Sequence, residues 1–139
     1  ALYEASRPAF KTYTKQIVRN AKALATELSR RGWRLVSGDT ETHLMLVDTM
    51  SRGVTGREAE LLLEQSGITV NKNTIPFDMR KPMDPSGIRI GTPALTTRGM
   101  KEREMKLVAG FIDDILQKRT LPSIAQKAVQ RLAKQFPLP

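Results

Sequence analysis

Cysteine is missing from the 139 residues, which removes disulfides, thiolate nucleophiles and Cys-based metal sites together. Its absence fits a reducing compartment. Histidine is nearly as scarce: His43 is the only one, so no imidazole pair and no His-rich metal site can form. At the start of an apparent strand, His43 reads as a structural or surface residue. Aromatic side chains are few, with one Trp, two Tyr and four Phe, and none is interleaved with a basic run as base stacking on nucleic acid would need. No apolar run approaches the roughly 18 residues required to cross a membrane, and no charged-then-apolar signal pattern opens the sequence. Phosphate-cradling loops are absent too, because Gly87, Gly91 and Gly99 lack a following Lys-Ser or Lys-Thr. Asp113 and Asp114 are adjacent on a predicted helix, so they point apart and cannot act as an acid/base pair. These absences argue against a self-contained hydrolase, metalloenzyme or nucleotidyl enzyme.

What is present is ordinary in bulk: 40% hydrophobic and 27% charged residues in a length that suits one domain with one core. The net charge of +9 raises nucleic acid as a partner. Yet the 23 basic residues are spread along the chain, many beside an acid as in Lys101-Glu102-Arg103-Glu104. That pattern reads as a solvated basic surface, able to attract an anionic small molecule or the acidic face of a partner domain. The sequence starts at Ala1 with residues already in a helical pattern, which suggests a piece of a longer protein.

Periodicity gives the elements. Phe10, Tyr13, Ile17, Ala21, Leu24 and Leu28 fall on one face of a helix over 8–31, with Pro8 in its first turn and Gly32 just past its end. Residues 33–36 and 43–49 read as two strands joined by a polar turn around Gly38-Asp39. Thr55 and Glu58 form a capping box opening a helix that Gly67 should stop. The β-branched residues 68–70 suggest a short strand. Residues 71–87, with Pro76, Pro82, Pro85 and Gly87, suggest a long loop of the kind that is often functional. In it Asp78 and Asp84 read as turn formers. Residues 88–91 return to strand and 101–117 to helix, with Met105, Val108, Ile112 and Ile115 inward. Ser123 and Gln126 suggest a second capping box before a last helix carrying Ala125, Ala128, Val129 and Leu132. The order α-β-β-α-β-β-α-α predicts an α/β fold: a small antiparallel or mixed sheet covered by helices.

Two stretches remain for chemistry. "NKNTIPFD", residues 71–78, offers amides that could read a heterocycle edge or merely cap a strand. In "SGIRIGTPALTTRG", residues 86–99, alternation puts Ile88 and Ile90 on one side and Arg89 on the other. Taken alone, Arg89 reads as a solvent-facing strand residue.

Together these stretches resemble the small C-terminal domain of serine hydroxymethyltransferase, a pyridoxal-phosphate enzyme. The resemblance runs over essentially residues 1–139. It includes "YTKQIVRNAKALATELSRRGWRLVSGDTETHLMLVD", "TGREAELLLEQSGITVNKN" and the terminal "KQFP". Aminotransferase-like enzymes of fold type I share the architecture but not this asparagine loop followed by "RIGTPALTTRG". The resemblance implies that Arg89 binds the α-carboxylate of serine or glycine and that Asn73 contacts the pterin of the folate co-substrate. A guanidinium suits that task, because its two parallel N–H donors match a carboxylate's two oxygens.

The resemblance also implies pyridoxal phosphate as cofactor, tetrahydrofolate as co-substrate, and a cytoplasmic homo-oligomeric enzyme. The Schiff-base lysine, the ring-stacking histidine and the pyridine-nitrogen aspartate would lie in a large upstream domain, so no catalytic, cofactor-binding or metal-binding residue is expected in this chain, which alone should be inactive. Lys72 and Arg98 read as structural. Thr42 stands where family members usually have Asn, which puts no catalytic role in doubt. The alternative is a free-standing, non-enzymatic module that binds a partner domain or nucleic acid through its basic surface.

Overall fold

Pro8 opens the longest helix and Gly32 closes it. A computed structural model describes residues 2–138. After a short helix α1 (Leu2–Ala5), α2 spans Pro8–Arg30. At its end Gly32 takes φ 87°, and the amides of Gly32 and Trp33 donate back to the carbonyls of Ser29 and Leu28. This return satisfies carbonyls that a helix end leaves open, and it needs the left-handed backbone that glycine adopts at little cost. Helix α3 (Gly56–Gln65) ends the same way, with Gly67 and Ile68 donating to Glu64 and Leu63.

Four strands follow from these boundaries: β1 (Arg34–Leu35), β2 (Leu44–Asp48), β3 (Asn71–Asn73) and β4 (Gly87–Gly91). They form one antiparallel sheet in the order β1-β2-β4-β3. Helices α4 (Pro93–Thr97), α5 (Glu102–Leu116) and α6 (Pro122–Gln135) complete the chain. The fold is therefore α/β, with the sheet antiparallel throughout.

One face of that sheet is apolar. Leu35, Met45, Val47, Ile88 and Ile90 point into a core closed by Leu24 and Leu28 of α2, Leu63 of α3, and Met105, Ile112 and Ile115 of α5. Each buried aliphatic side chain of this kind contributes about 1.5–3 kcal/mol relative to exposure. The opposite face is mostly exposed or half-buried and presents Leu44, Leu46, Asn71, Asn73 and Arg89.

Several local expectations need correction. The strand expected at 68–70 instead lies at Asn71–Asn73. Residue 68 is consumed by the return that ends α3, and "NKN" becomes a strand because β4 supplies its hydrogen-bond partners. The long loop is accordingly 74–86. The capping box at Ser123 does not form: Pro122 occupies the first turn and Leu121 is extended, as a residue before proline prefers. At Thr55 half of the box is present, with Glu58 N donating to Thr55 Oγ1 at 3.2 Å, while the Glu58 carboxylate pairs with Lys118 at 2.9 Å. Finally, the face of α2 narrows toward its start, leaving Phe10 39% exposed rather than in the core.

Glu27 and Asp113 tie α2 to α5. Glu27 accepts from Arg30 at 2.6 Å and from Arg31 at 2.9 Å, and Arg31 reaches on to Asp113 at 3.4 Å. The Arg30 hydrogen bond outweighs burial and, with Arg31, brings the Glu27 carboxyl down to about 2. A carboxylate held below its unfolded value of 4.5 stabilises the fold fully above that pH, and the contribution drains away as pH falls toward 2. Thermal melting on acidification should therefore show a falling midpoint across this window, with a shallower fall in Glu27→Gln.

Candidate functional site

β4 lies inside the sheet, between β2 and β3, and its alternate residues Ile88 and Ile90 are locked in the core. Arg89 between them is exposed on the other face. Its registered neighbours are Leu46 on β2 and Asn71 on β3, so Arg89 and Asn71 stand side by side. Asn73 pairs with Gly87, one step along the same face. The sheet thus brings together the arginine and the asparagines of the two chemistry-bearing stretches.

The Arg89 guanidinium makes no hydrogen bond or ion pair with any described residue, so its donors are open to a ligand. Asn73 is half-buried, and its Nδ2 donates to the carbonyl of Thr74 at 2.7 Å. That bond uses one of the two N–H donors and leaves the other, with the amide oxygen, for a partner. A cavity of about 490 Å³, lined in part by Val36, Thr40, Leu44 and Leu46, opens at the β1–β2 end of the sheet. Arg89 is not in its wall.

The other basic residues near the two stretches have structural partners. Lys72 points to the helix side of the sheet and pairs with Glu60 at 3.1 Å. Arg98 donates to the carbonyl of Ala133 at 2.7 Å and so joins α4 to α6. His43 is exposed, and its carbonyl accepts from Thr92 N at 3.0 Å where β4 ends. Among the described residues no three His, Asp or Glu side chains are grouped to hold a metal, and no helix is long and apolar enough to cross a membrane.

One interaction escaped sequence reasoning. Asp78, taken as a turn former, accepts four hydrogen bonds: from Ile75 N, Arg80 N, Ser86 N and Ser86 Oγ, at 3.2, 3.0, 2.9 and 2.7 Å. Burial pushes its carboxyl up, but the bonds from Ser86, Arg80 and Ile75 outweigh this and bring it down to about 2. An acid eight residues before a serine carries no signal that could have revealed this.

Comparison with known proteins decides the family. The family model for serine hydroxymethyltransferase matches residues 1–112. This chain belongs to the serine hydroxymethyltransferase family. It is 53% identical to the serine hydroxymethyltransferase of Acidobacterium capsulatum, over 99% of this chain and 33% of the relative. It is equally 53% identical to that of Koribacter versatilis, over 97% of this chain and 32% of the relative. The chain therefore spans about a third of the length of these curated relatives.

Enzymes of the serine hydroxymethyltransferase family generally depend on pyridoxal phosphate and use folate as co-substrate. The face around Arg89 does not fit that cofactor. It offers a guanidinium and amides but no lysine amine for a Schiff base, because the one strand lysine, Lys72, faces the helices and is paired. What the face can do is bind an anion and read a polar edge beside it.

Proposed function

We propose that the full-length protein interconverts serine plus tetrahydrofolate with glycine plus methylenetetrahydrofolate. This third of it supplies the arginine for the amino-acid carboxylate, Arg89, and part of the folate wall, Asn73. The remainder supplies the pyridoxal-phosphate site, so this portion alone is inactive. The whole enzyme is cytoplasmic and homo-oligomeric, as the family resemblance implies.

The observation that carries this reading is the state of Arg89. An arginine with a free guanidinium, on a strand held by buried neighbours, has its Cα fixed and all its donors open before any ligand arrives. A carboxylate then gains two charge-assisted hydrogen bonds, set against the cost of ordering the arginine side chain. Fixing the carboxylate fixes the rest of a small amino acid, which is worth much of a reaction barrier when the bond to be broken must be aligned. Asn73, on the same face, is placed to read the co-substrate while the amino acid is held.

Arg89→Lys in the full-length enzyme tests it. The ammonium keeps the charge but cannot form two parallel bonds, so kcat/KM for serine should fall by about 2–3 kcal/mol, or roughly 30- to 150-fold. Turnover of serine at near the normal kcat/KM would remove Arg89 from the site.

A further inference from the structure

β3 and β4 form a hairpin whose ends are joined by no tight turn. Asn73↔Gly87 is the last registered pair, and residues 74–86 intervene. The loop has little apolar interior to hold it: Phe77 is 99% exposed, Met79 97% and Met83 73%. Phe77 also sits at φ 60°, a left-handed conformation that a bulky side chain disfavours. Something other than hydrophobic burial or local preference sets the shape of this loop.

The Asp78 carboxylate does so. Its Oδ2 accepts from Ile75 N, two residues after Asn73, and from Ser86 N, one residue before Gly87. One oxygen therefore bridges the two arms of the hairpin just beyond their last pair. Oδ1 takes Arg80 N and Ser86 Oγ. Ser86 carries the link further, since its carbonyl accepts from Thr49 N at 3.1 Å and Met50 N at 3.0 Å, just past the end of β2. A second clasp, from Arg80 to the carboxylate and carbonyl of Asp84, stays within the loop and does not reach the strands.

We propose that Asp78 is a positioning residue for the folate co-substrate: it fixes the hairpin end from which Asn73 is presented, without touching the ligand. The inference rests on the assignment of Asn73 to folate. Asp78 faces three backbone N–H groups, which can only donate, and the Ser86 hydroxyl. Asparagine weakens the clasp in either orientation: its neutral oxygen is a poorer acceptor than a carboxylate, and its N–H is set either against Ile75 N and Ser86 N or against Arg80 N. Arg89 is insulated from the loop, since Ile88 and Ile90 hold it from the core side.

The test is steady-state kinetics of the full-length enzyme with Asp78→Asn, Ser86→Ala and Asn73→Ala, beside amide hydrogen exchange. In Asp78→Asn the KM for tetrahydrofolate should rise about tenfold or more, as expected when a contact residue is misplaced. KM for serine and kcat at saturating folate should change by less than about twofold. The amides of Ile75 and Ser86 should lose protection. Ser86→Ala removes one bond of four, and the same split should appear on a smaller scale, which keeps the test decisive if Asp78→Asn does not fold. A raised folate KM in Asn73→Ala but not in Asp78→Asn would overturn the positioning role. Equal effects on serine and folate would overturn it as well, by showing general damage. An unchanged folate KM in Asn73→Ala overturns it by a different route, locating the failure in the assignment of Asn73.

Discussion

Gly56→Ala should cost about 3 kcal/mol or more of stability, although it adds one methyl group. Gly56 is the first residue of α3, and its amide donates to the carbonyl of Pro85 at 2.7 Å. A Cβ there would lie 2.2 Å from the carbonyl oxygen of Gly87 and 2.9 Å from that of Pro85. Both atoms are backbone, so no rotamer change relieves the overlap, and the helix must lift from the sheet or β4 must bend. Gly87 is crowded from other sides too: a Cβ on it would meet Val47 O and the Ile75 side chain, each at 2.7 Å. Gly38→Ala is the control. Its site is open but has φ 76°, so the loss should be only the conformational one, about 1–2 kcal/mol. Denaturant midpoints of the two variants should separate close packing from backbone preference. Equal losses would show that α3 can move away from β4 at no great cost.

Asp113→Ala should cost about 3 kcal/mol. The Asp113 side chain is 4% exposed and accepts from Trp33 Nε1 at 3.0 Å, Arg119 at 2.7 Å and Arg31 at 3.4 Å. Burial works against its charge, but Arg119, Trp33 and Arg31 hold the carboxyl below its ordinary value. On truncation the arginines can turn to water, Arg119 being half exposed and Arg31 partly so. The indole cannot, because Trp33 is 2% exposed, and an unsatisfied buried donor is costly. Trp33→Phe in the Asp113→Ala background should thus be milder than the sum of the single losses. Simple additivity in that double-mutant cycle would show that the indole–carboxylate bond contributes no stability of its own.

Legibility in the sequence followed the range of the interactions. Helices α2, α3 and α5 were readable because periodicity and closing glycines act within a few residues, and β2 because apolar residues cluster there. β3 was not, since Asn, Lys and Asn have little strand preference and pair only because β4 lies alongside. α4 is a single turn that begins at Pro93, too short to leave a period. Arg89 could be assigned a face by alternation, but the juxtaposition of Asn71 with Arg89 is a product of sheet register. That Asp113 is the buried hub for Trp33, 80 positions away, is equally invisible. Asp113 and Asp114, expected to point apart, both accept from Arg119 Nη1, at 2.7 and 3.1 Å, a convergence on one long side chain that adjacency in the sequence does not announce.

The flanking isoleucines of β4 have a consequence for precision. A slip of one residue against β2 would drive a guanidinium into hydrocarbon and push two branched side chains into water, a penalty of many kcal/mol spread over the whole ribbon. The strand position that carries the cation is thus dictated by packing on the reverse side of the sheet. Recognition could be retuned by changes around the arginine without disturbing where it stands, while conservative swaps in the hidden layer would move it.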